Sequence, residues 1–227
     1  MMWFEQFLFL DRRDAGRQLA EKLHTERLIE TAEQDTLLVL SIPRGGVVVG
    51  AAVAAGLGCE HQVVVAKKVG FPGHAELAAG AVAEDGTVIF NDQLLLDYGQ
   101  NEERFAGQIA QAKAHVAQYI EKFRQGRALQ LAGKVVILVD DGIATGETMR
   151  AALKWIKTGP PTEQPRQVIV AVPVCEPRTA ADLQKQVDRF VCLAQPHWFR
   201  AIGQFYWDFE GVDDEQVRHY LHDKTTV

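Results

Sequence analysis

Five short runs of Val, Ile and Leu, separated by segments of helical character, constrain the fold of this chain more than any other feature. They read TLLVLS, QVVVA, KVVILVD, QVIVAVP and RFVCLA. Strands with one face in water alternate apolar and polar residues, whereas strands buried on both faces are apolar almost throughout. Apolar strands that alternate with helices therefore predict an α/β fold, with a mainly parallel twisted sheet flanked by helices.

The segments between these runs predict the helices. Ala15, Leu19 and Leu23 recur at helical spacing and indicate a helix over about residues 14–31. The other helices are expected at these places: from IPRGG to about residue 57, over 101–125, over about 147–157 and near 178–186. Two short strands, AGAVAE and TVIFN, are expected on either side of a turn at Asp85 and Gly86. With 227 residues, 47% of them hydrophobic, the chain fits one domain spanning residues 1–227.

Charge and cysteine content exclude several classes of function. The chain has 24 Lys and Arg against 30 Asp and Glu, and no dense basic run that would attract nucleic acid. Its three cysteines lack metal-ligand spacing, which favours free thiols in a reducing compartment. The apolar residues 1–16 are interrupted by Glu5 and no basic residues precede them, so neither a signal peptide nor a membrane span is expected. We expect a cytoplasmic protein that binds neither nucleic acid nor membrane.

Three predicted strands end in chemically unusual segments, at residues 41–46, 67–77 and 140–148. Ligands of open parallel sheets bind beyond the carboxyl ends of the strands. We therefore expect a ligand site formed by these three segments.

The segment VVILVDDGIATGETM at residues 135–149 allows three interpretations. The two aspartates could cap the next helix, but they lie five or more residues before it. The segment could be the acidic strand of a nucleotide triphosphatase, but the chain has no GxxxxGK[ST] loop. In the third interpretation, two glycines and the hydroxyls of Thr145 and Thr148 form a phosphate nest at a helix start. Two carboxylates just upstream would then hold vicinal hydroxyls. A phosphate at one end and two vicinal hydroxyls at the other describe a ribose 5-phosphate.

This segment resembles the phosphoribosyl diphosphate (PRPP) motif of type I phosphoribosyltransferases. SIPRGGVVVGAAVAAGLG is similar to the pyrophosphate loop and helix of that family, and VAKKVGFPGHAELAAGAVAEDGTVIFN to its flexible catalytic loop with flanking strands. With FLFLDRRDAGRQLA and PHWFRAIGQFYWDF, the likeness extends over nearly the whole chain. It is strongest to a subfamily predicted to be phosphoribosyltransferases, whose substrate is unassigned.

The resemblance implies roles for individual residues. Asp140 and Asp141 would hold the ribose hydroxyls and stabilise the ribosyl cation that forms during transfer. The phosphate loop would comprise Gly142, Ile143, Ala144, Thr145, Gly146, Glu147 and Thr148. The carboxylate of Glu147 would repel a phosphate, so its side chain is expected to point away. The pyrophosphate loop would comprise Ser41, Arg44, Gly45 and Gly46, and in the family one peptide of this loop is often cis.

Five further residues have candidate roles. Lys67 and Lys68, interpreted as the end of a buried strand, would place positive charge on the pyrophosphate. His74 lies in the segment that would close over the site, either as an acid or base or as a packing residue. Six aromatic residues lie within QPHWFRAIGQFYWDF. They indicate a small C-terminal core, or a hood from about residue 195–227 plus the N-terminal segment, in which Trp198 or Phe199 stacks on the acceptor. Arg12 and Arg13 could approach the phosphates, but the preferred interpretation is the surface start of a helix.

The resemblance predicts transfer of a phosphoribosyl group from PRPP to a nitrogen nucleophile, a nucleobase or related heterocycle, with release of pyrophosphate. Mg²⁺ would be carried with PRPP rather than bound by direct protein ligands. The family also suggests a homodimer. The alternative is a PRPP- or nucleotide-sensing regulator of the same fold that does not turn over. Because unpaired carboxylates at a strand end repel, changing Asp140 and Asp141 to Asn is expected to leave the melting temperature unchanged or higher.

Overall fold

The structure is a computed structural model that describes residues 7–26, 36–71, 74–158 and 160–222, without the side chains of 74–77 and Gln93. The strands within these ranges are β1 Leu37–Ser41, β2 Glu60–Val63, β3 Lys67–Phe71, β4 His74–Val82, β5 Val88–Phe90, β6 Val135–Val139, β7 Gln167–Val174 and β8 Arg189–Ala194. The helices are α1 Arg12–Thr25, α2 Gly45–Leu57, α3 Asp92–Asp97, α4 Ala106–Arg124, α5 Glu147–Ile156, α6 Pro177–Gln184 and α7 Asp214–His222.

The chain divides into two compact units, and the first contains the parallel sheet. This unit comprises Met1–Val63, Gly133–Thr145 and Pro165–Val227. Its strands lie in the order β2-β1-β6-β7-β8, and every neighbouring pair is parallel. All five residues of both β1 and β6 are buried, which is why these two strands are apolar almost throughout. The predicted parallel sheet flanked by helices is confirmed.

Helices α1 and α2 pack closely because small residues meet where they touch. A methyl group on Gly16 would lie 2.6 Å from Cβ of Ala52, and one on Gly56 would lie 2.7 Å from Cβ of Ala20. Both contacts advance by four residues along each helix, so the helices run in the same direction. Helix α2 then ends at Gly58, whose φ of 64° forms a left-handed C-cap. The first turns of α1 and α2 consequently lie at the same end of the helix pair.

The second unit, Val64–Ala132 with Gly146–Gln164, contains a small antiparallel sheet in the order β3-β4-β5. Its core consists of buried apolar residues from the sheet and from the long helix α4, among them Val69, Phe71, Val82, Phe105 and Val116. A buried ion pair joins this sheet to α4: Arg124 bonds one carboxylate oxygen of Glu84. The other oxygen accepts the amide of Val65 at 3.1 Å.

The prediction that residues 67–77 form a loop is wrong. Residues 67–71 are strand β3, and residues 74–77 begin strand β4, with which β3 pairs antiparallel. Val69 and Phe71 are buried in the core of the second unit, which favours a strand over a mobile loop. The Gly70 that suggested a loop lies at an irregularity in the β3–β4 register, as glycines in strands often do.

Several predicted boundaries also shift. Helix α1 spans Arg12–Thr25, and the remainder of the predicted 14–31 segment, beyond residue 26, lies outside the described residues. The second strand begins at Glu60 rather than Gln62, because Glu60–Val63 is the stretch that pairs with β1. The predicted 101–125 helix is divided into a 3-10 turn, Glu102–Phe105, and α4. Strand β4 begins at His74, five residues before the predicted AGAVAE, and the second strand ends at Val63 rather than Ala66. The other predicted helices and strands differ from the structure by one or two residues, and neither α3 nor α7 was predicted.

We predict that Arg124→Met destabilises the protein because it leaves the buried carboxylate of Glu84 without its cationic partner. Removing one member of a buried ion pair costs about 3–5 kcal/mol, whereas an exposed cation on the same helix contributes within about 0.5 kcal/mol. Urea unfolding of Arg124→Met and of the control Lys113→Met, which changes an exposed residue of α4, measures the difference. Equal stabilities for the two variants would contradict the prediction.

Candidate functional site

Two of the chemically unusual segments leave the parallel sheet side by side. Strands β1 and β6 are parallel neighbours, with Ser41 paired to Val139 at their carboxyl ends. The next amide, of Ile42, donates to the carbonyl of Val139 at 3.0 Å. The segment at residues 41–46 therefore begins directly beside the acidic pair at residues 140 and 141.

The backbone of Gly45 and Gly46 lies against both carboxylates. A methyl group on Gly46 would lie 2.8 Å from Oδ1 of Asp140 and 2.9 Å from its Cα. One on Gly45 would overlap Oδ2 of Asp141 and lie 2.8 Å from its Cγ. The peptide between Pro43 and Arg44 is cis. Only glycine allows this approach, so the two glycines have a steric reason that the sequence did not reveal.

The carboxylate of Asp141 is paired with an arginine from the start of α1. Its Oδ2 accepts a hydrogen bond from Nε of Arg12 at 2.7 Å, and both side chains are nearly buried. Burial raises the pKa of Asp141 above its usual range, while the Arg12 guanidinium acts in the opposite direction and favours the charged form. The hydroxyl of Tyr206 donates to the main-chain oxygen of Asp141 at 2.5 Å. Asp141 is thus held at both its side chain and its backbone.

The two aspartates differ in their surroundings. Asp140 is half-buried, and its Oδ1 accepts a hydrogen bond from the amide of Asp141 at 2.8 Å. Asp141, in contrast, is in a buried ion pair, so its replacement by Asn leaves the guanidinium of Arg12 without its carboxylate. We therefore correct the expectation that changing both residues to Asn preserves stability, because breaking a buried pair is destabilising.

Arg12 is a site residue that the sequence reasoning missed. The interpretation as a surface helix start holds for Arg13, which is exposed and donates to the hydroxyl of Tyr220 at 2.8 Å. Arg12 instead lies three residues before Ala15 and seven before Leu19, on the buried face of α1. Its guanidinium lies 3.7 Å from the ring centroid of Phe209. The helical periodicity was the signal that could have found it.

The backbone that follows the acidic pair is anchored to the next strand. The amide of Ile143 donates to the carbonyl of Val174 at 2.9 Å, and the hydroxyl of Thr179 donates to the carbonyl of Ala144 at 2.7 Å. A methyl group on Gly142 would lie 2.6 Å from Cγ2 of Ile202. The amide of Ile143 is thus bonded within the protein and its side chain is buried, and binding of a phosphate by this loop stays a prediction.

Thr145 is the exposed end of this segment in the first unit, and Gly146 begins the second unit with a φ of 78°. Gly146 is the N-cap of α5 and supplies no side-chain hydrogen bond to the helix amides. The side chain of Glu147 is buried, and its Oε1 accepts hydrogen bonds from Asn91 at 3.0 Å and Arg150 at 3.2 Å. Burial raises the pKa of Glu147, against the opposing charge of Arg150. Thr148 is half-buried in the first turn of α5.

The two polar side chains of the segment at residues 41–46, Ser41 and Arg44, differ in exposure. Ser41 is wholly buried and its Oγ lies 2.8 Å from Nε2 of His61, whose pKa burial lowers to about 4. The hydroxyl of Ser41 therefore faces the interior, and the assignment of this segment as the pyrophosphate loop stays a prediction. Arg44 is 49% exposed and lies 3.9 Å from Oδ1 of Asp214 at the start of α7. A half-exposed pair at this distance is weak and readily exchanged for another anion.

Lys67 and Lys68 do not end a buried strand: they begin β3, are exposed, and pair in register with Val82 and Ala81. Both belong to the second unit, in which the charge of Lys68 acts on Glu147. The side chain of His74 lies outside the described residues, so its predicted alternatives stay predictions.

The C-terminal aromatic residues form a small core with the N-terminal segment, as one of the two sequence interpretations expected. Phe205 and Tyr206 are buried beside Phe9. Phe199 packs on this cluster, with its ring centroid 5.2 Å from that of Phe205. Trp198, in contrast, is 63% exposed. Of the two predicted acceptor-stacking residues, Trp198 has the more accessible ring.

Neither a metal cage nor a membrane-crossing helix is found in the described part of the chain. No three His, Cys, Asp or Glu side chains are grouped there in a way that could hold a metal ion. None of the helices described there is both long and apolar enough to cross a membrane.

Sequence similarity relates this chain to known proteins. A sequence profile described as phosphoribosyl transferase domain matches residues 11–210. Two Mycobacterium tuberculosis proteins with provisional phosphoribosyl transferase names are 36% identical over 217 residues. That match covers 94% of this chain but 46% of each relative, so the chain spans about half the length of the curated relatives it matches.

Two solved structures share the fold. The crystal structure of TT1426 from Thermus thermophilus is 38% identical, with a TM-score of 0.73, and the match covers 94% of this chain and 97% of that one. A Neisseria gonorrhoeae protein with bound ppGpp is 14% identical with a TM-score of 0.51, over 95% of this chain and 96% of that one. The second likeness shows the fold alone.

We predict that Gly46→Ala destabilises the protein, because its methyl group meets the backbone of Asp140, which cannot move aside as a flexible side chain would. Overpacking of this kind costs about 1–3 kcal/mol. The matched control is Gly107→Ala in α4, where nothing lies within 4 Å of the added methyl group, and this change is expected to stabilise by up to about 1 kcal/mol. Thermal unfolding of both variants checks the difference, and a Gly46→Ala protein as stable as the wild type would refute the steric argument.

Proposed function

We propose that this chain, which belongs to the phosphoribosyl transferase domain family, binds Mg²⁺–PRPP at the carboxyl edge of its parallel sheet and transfers the phosphoribosyl group to a nitrogen nucleophile. The observation that carries the proposal is the close contact of Gly45 and Gly46 with Asp140 and Asp141. This contact brings a potential anion-binding loop next to an acidic pair. PRPP requires such an arrangement, because it carries a pyrophosphate on C1 of the ribose and hydroxyls on C2 and C3.

In the proposed complex, different residues of the first unit bind different parts of PRPP. Arg44 presents an exposed planar guanidinium that suits phosphate oxygens, and its weak partner Asp214 is displaced when pyrophosphate arrives. The carboxylate of Asp140 accepts hydrogen bonds from ribose hydroxyls. Thr145, exposed at the end of the anchored segment, contributes its hydroxyl to the 5-phosphate. For Lys67 and Lys68 the proposed contribution of positive charge rests on the family resemblance alone.

In the proposed reaction, the bond from ribose C1 to the pyrophosphate oxygen breaks and a bond from C1 to the acceptor nitrogen forms. A purine or pyrimidine acceptor releases the proton of that nitrogen to water, whereas a pyridine nitrogen carries no proton and becomes a pyridinium. Positive charge develops on the ribose as the first bond breaks, and the carboxylate of Asp140 stabilises it electrostatically. The Mg²⁺ that accompanies PRPP supplies neutralisation of the leaving pyrophosphate. Trp198 is the proposed stacking partner of a planar acceptor, because its ring is accessible.

The first test measures PRPP binding and turnover separately. Mg²⁺–PRPP is expected to raise the melting temperature, because a ligand at 100 times its Kd stabilises the folded state by about 2.7 kcal/mol. Pyrophosphate release is then measured with a panel of purines, pyrimidines and pyridine carboxylates. No thermal shift at millimolar PRPP would overturn the proposal. A shift without pyrophosphate release for any acceptor would favour the alternative, a sensor of PRPP or nucleotides.

A second prediction concerns Arg44. Arg44→Ala is expected to weaken PRPP binding at least about tenfold more than ribose 5-phosphate binding, since a charge-assisted hydrogen bond contributes about 1.5–3 kcal/mol. Calorimetric affinities for both ligands give this ratio, with Arg218→Ala, an exposed arginine on α7, as the control. Equal weakening of the two ligands would place Arg44 away from the pyrophosphate.

A further inference from the structure

Arg12 makes three contacts at once, with two different segments of the chain. Its Nε donates to Oδ2 of Asp141 at 2.7 Å, and its Nη1 donates to the carbonyl of Glu210 at 2.7 Å. The face of the same guanidinium lies 3.7 Å from the ring centroid of Phe209. A lysine could keep one of these contacts but not all three, because only the planar fork of arginine combines two donor directions with a stacking face.

The position of Arg12 is fixed from behind by α1. Asp11 caps the helix by accepting the amide of Asp14 at 2.7 Å, so Arg12 is the first residue of a well-formed first turn. The tight contact of Gly16 with Ala52 then fixes α1 on α2, the helix that begins at Gly45. The guanidinium therefore has little freedom, and its side chain is only 11% exposed.

The carboxylate of Asp141 depends on this guanidinium. A Cβ on Gly45 would overlap Oδ2 of Asp141 and lie 2.9 Å from Nε of Arg12, so no side chain fits there. Burial raises the pKa of Asp141, and Arg12 is the cation that opposes this shift. Asp140 has a different environment, because it is half-buried and bonded to a main-chain amide.

We propose that Arg12 is a positioning residue for phosphoribosyl transfer: it holds Asp141 against Gly45 of the pyrophosphate loop. This inference rests on the proposed function and deepens it. Arg12 acts through Asp141 and Gly45 and contacts no substrate.

The test compares Arg12→Lys and Arg12→Gln with Arg13→Gln, which changes the exposed neighbour in the same helical turn. The measurements are the Kd of Mg²⁺–PRPP, the kcat and KM for pyrophosphate release, and the melting temperature. Both Arg12 variants are expected to lose kcat by at least about tenfold, since small misplacements of reacting groups cost up to about 10²-fold. Arg12→Lys is expected to keep PRPP affinity within about threefold, because the groups that contact PRPP remain in place.

A double-mutant cycle tests whether Arg12 acts through Asp141. If it does, Arg12→Gln combined with Asp141→Asn loses no more kcat than the worse single variant, because both changes break one connection. Losses that multiply would overturn the inference, as would a kcat for Arg12→Lys within about twofold of the wild type. If Arg12→Gln does not fold, Arg12→Lys decides alone.

This experiment distinguishes an error in the proposed function from an error in the role of Arg12. A wild-type protein that shows no PRPP-dependent thermal shift overturns the proposed function, and the role of Arg12 with it. A wild type that binds and turns over, with Arg12→Lys equally active, overturns only the role of Arg12. A parallel loss of kcat and melting temperature in Arg12→Lys, with kcat restored when the assay is cooled, assigns Arg12 to stability alone and also overturns the inference.

Discussion

The parallel pairing of β1 with β6 is the constraint on which the candidate site depends. Ser41 lies opposite Val139, and the hydrogen bonds of the ladder continue as far as the amide of Ile42. Both strands are buried on both faces, so burial of their apolar side chains fixes this pairing. Because parallel neighbours end at the same edge, a basic, glycine-containing loop and an acidic pair separated by about a hundred residues become neighbours.

The contact between these segments includes two negatively charged carboxylates, and a cation of the first unit offsets part of this charge. Two adjacent carboxylates repel each other, and burial penalises the charged form of Asp141 further. Arg12 compensates one of the two charges through a nearly buried ion pair. Such a pair adds little net stability, because both ions lose their hydration, but it restricts geometry strongly.

The aromatic C-terminal segment forms a small core and also contacts residues of the candidate site. Phe205 and Tyr206 are buried in a small core, and Phe199 packs against it, which explains much of the aromatic content. Yet Tyr206 also donates to the carbonyl of Asp141, and Phe209 stacks on Arg12. The segment therefore contacts Asp141 and its partner Arg12, in addition to carrying the exposed Trp198.

The sequence by itself determined the elements and the chemistry at the strand ends. Apolar runs with helical spacing between them are local patterns, and they were enough for the parallel sheet, most helix boundaries and the acidic and glycine-rich segments. The tertiary structure decided which groups meet. The Arg12–Asp141 pair joins residues 129 positions apart, and the bond of Ser41 to His61 crosses between two strands. The burial of Val69 and Phe71 turned a glycine-containing segment from the expected loop into a strand. Each of these outcomes depends on long-range packing and desolvation, which no window of neighbouring residues contains.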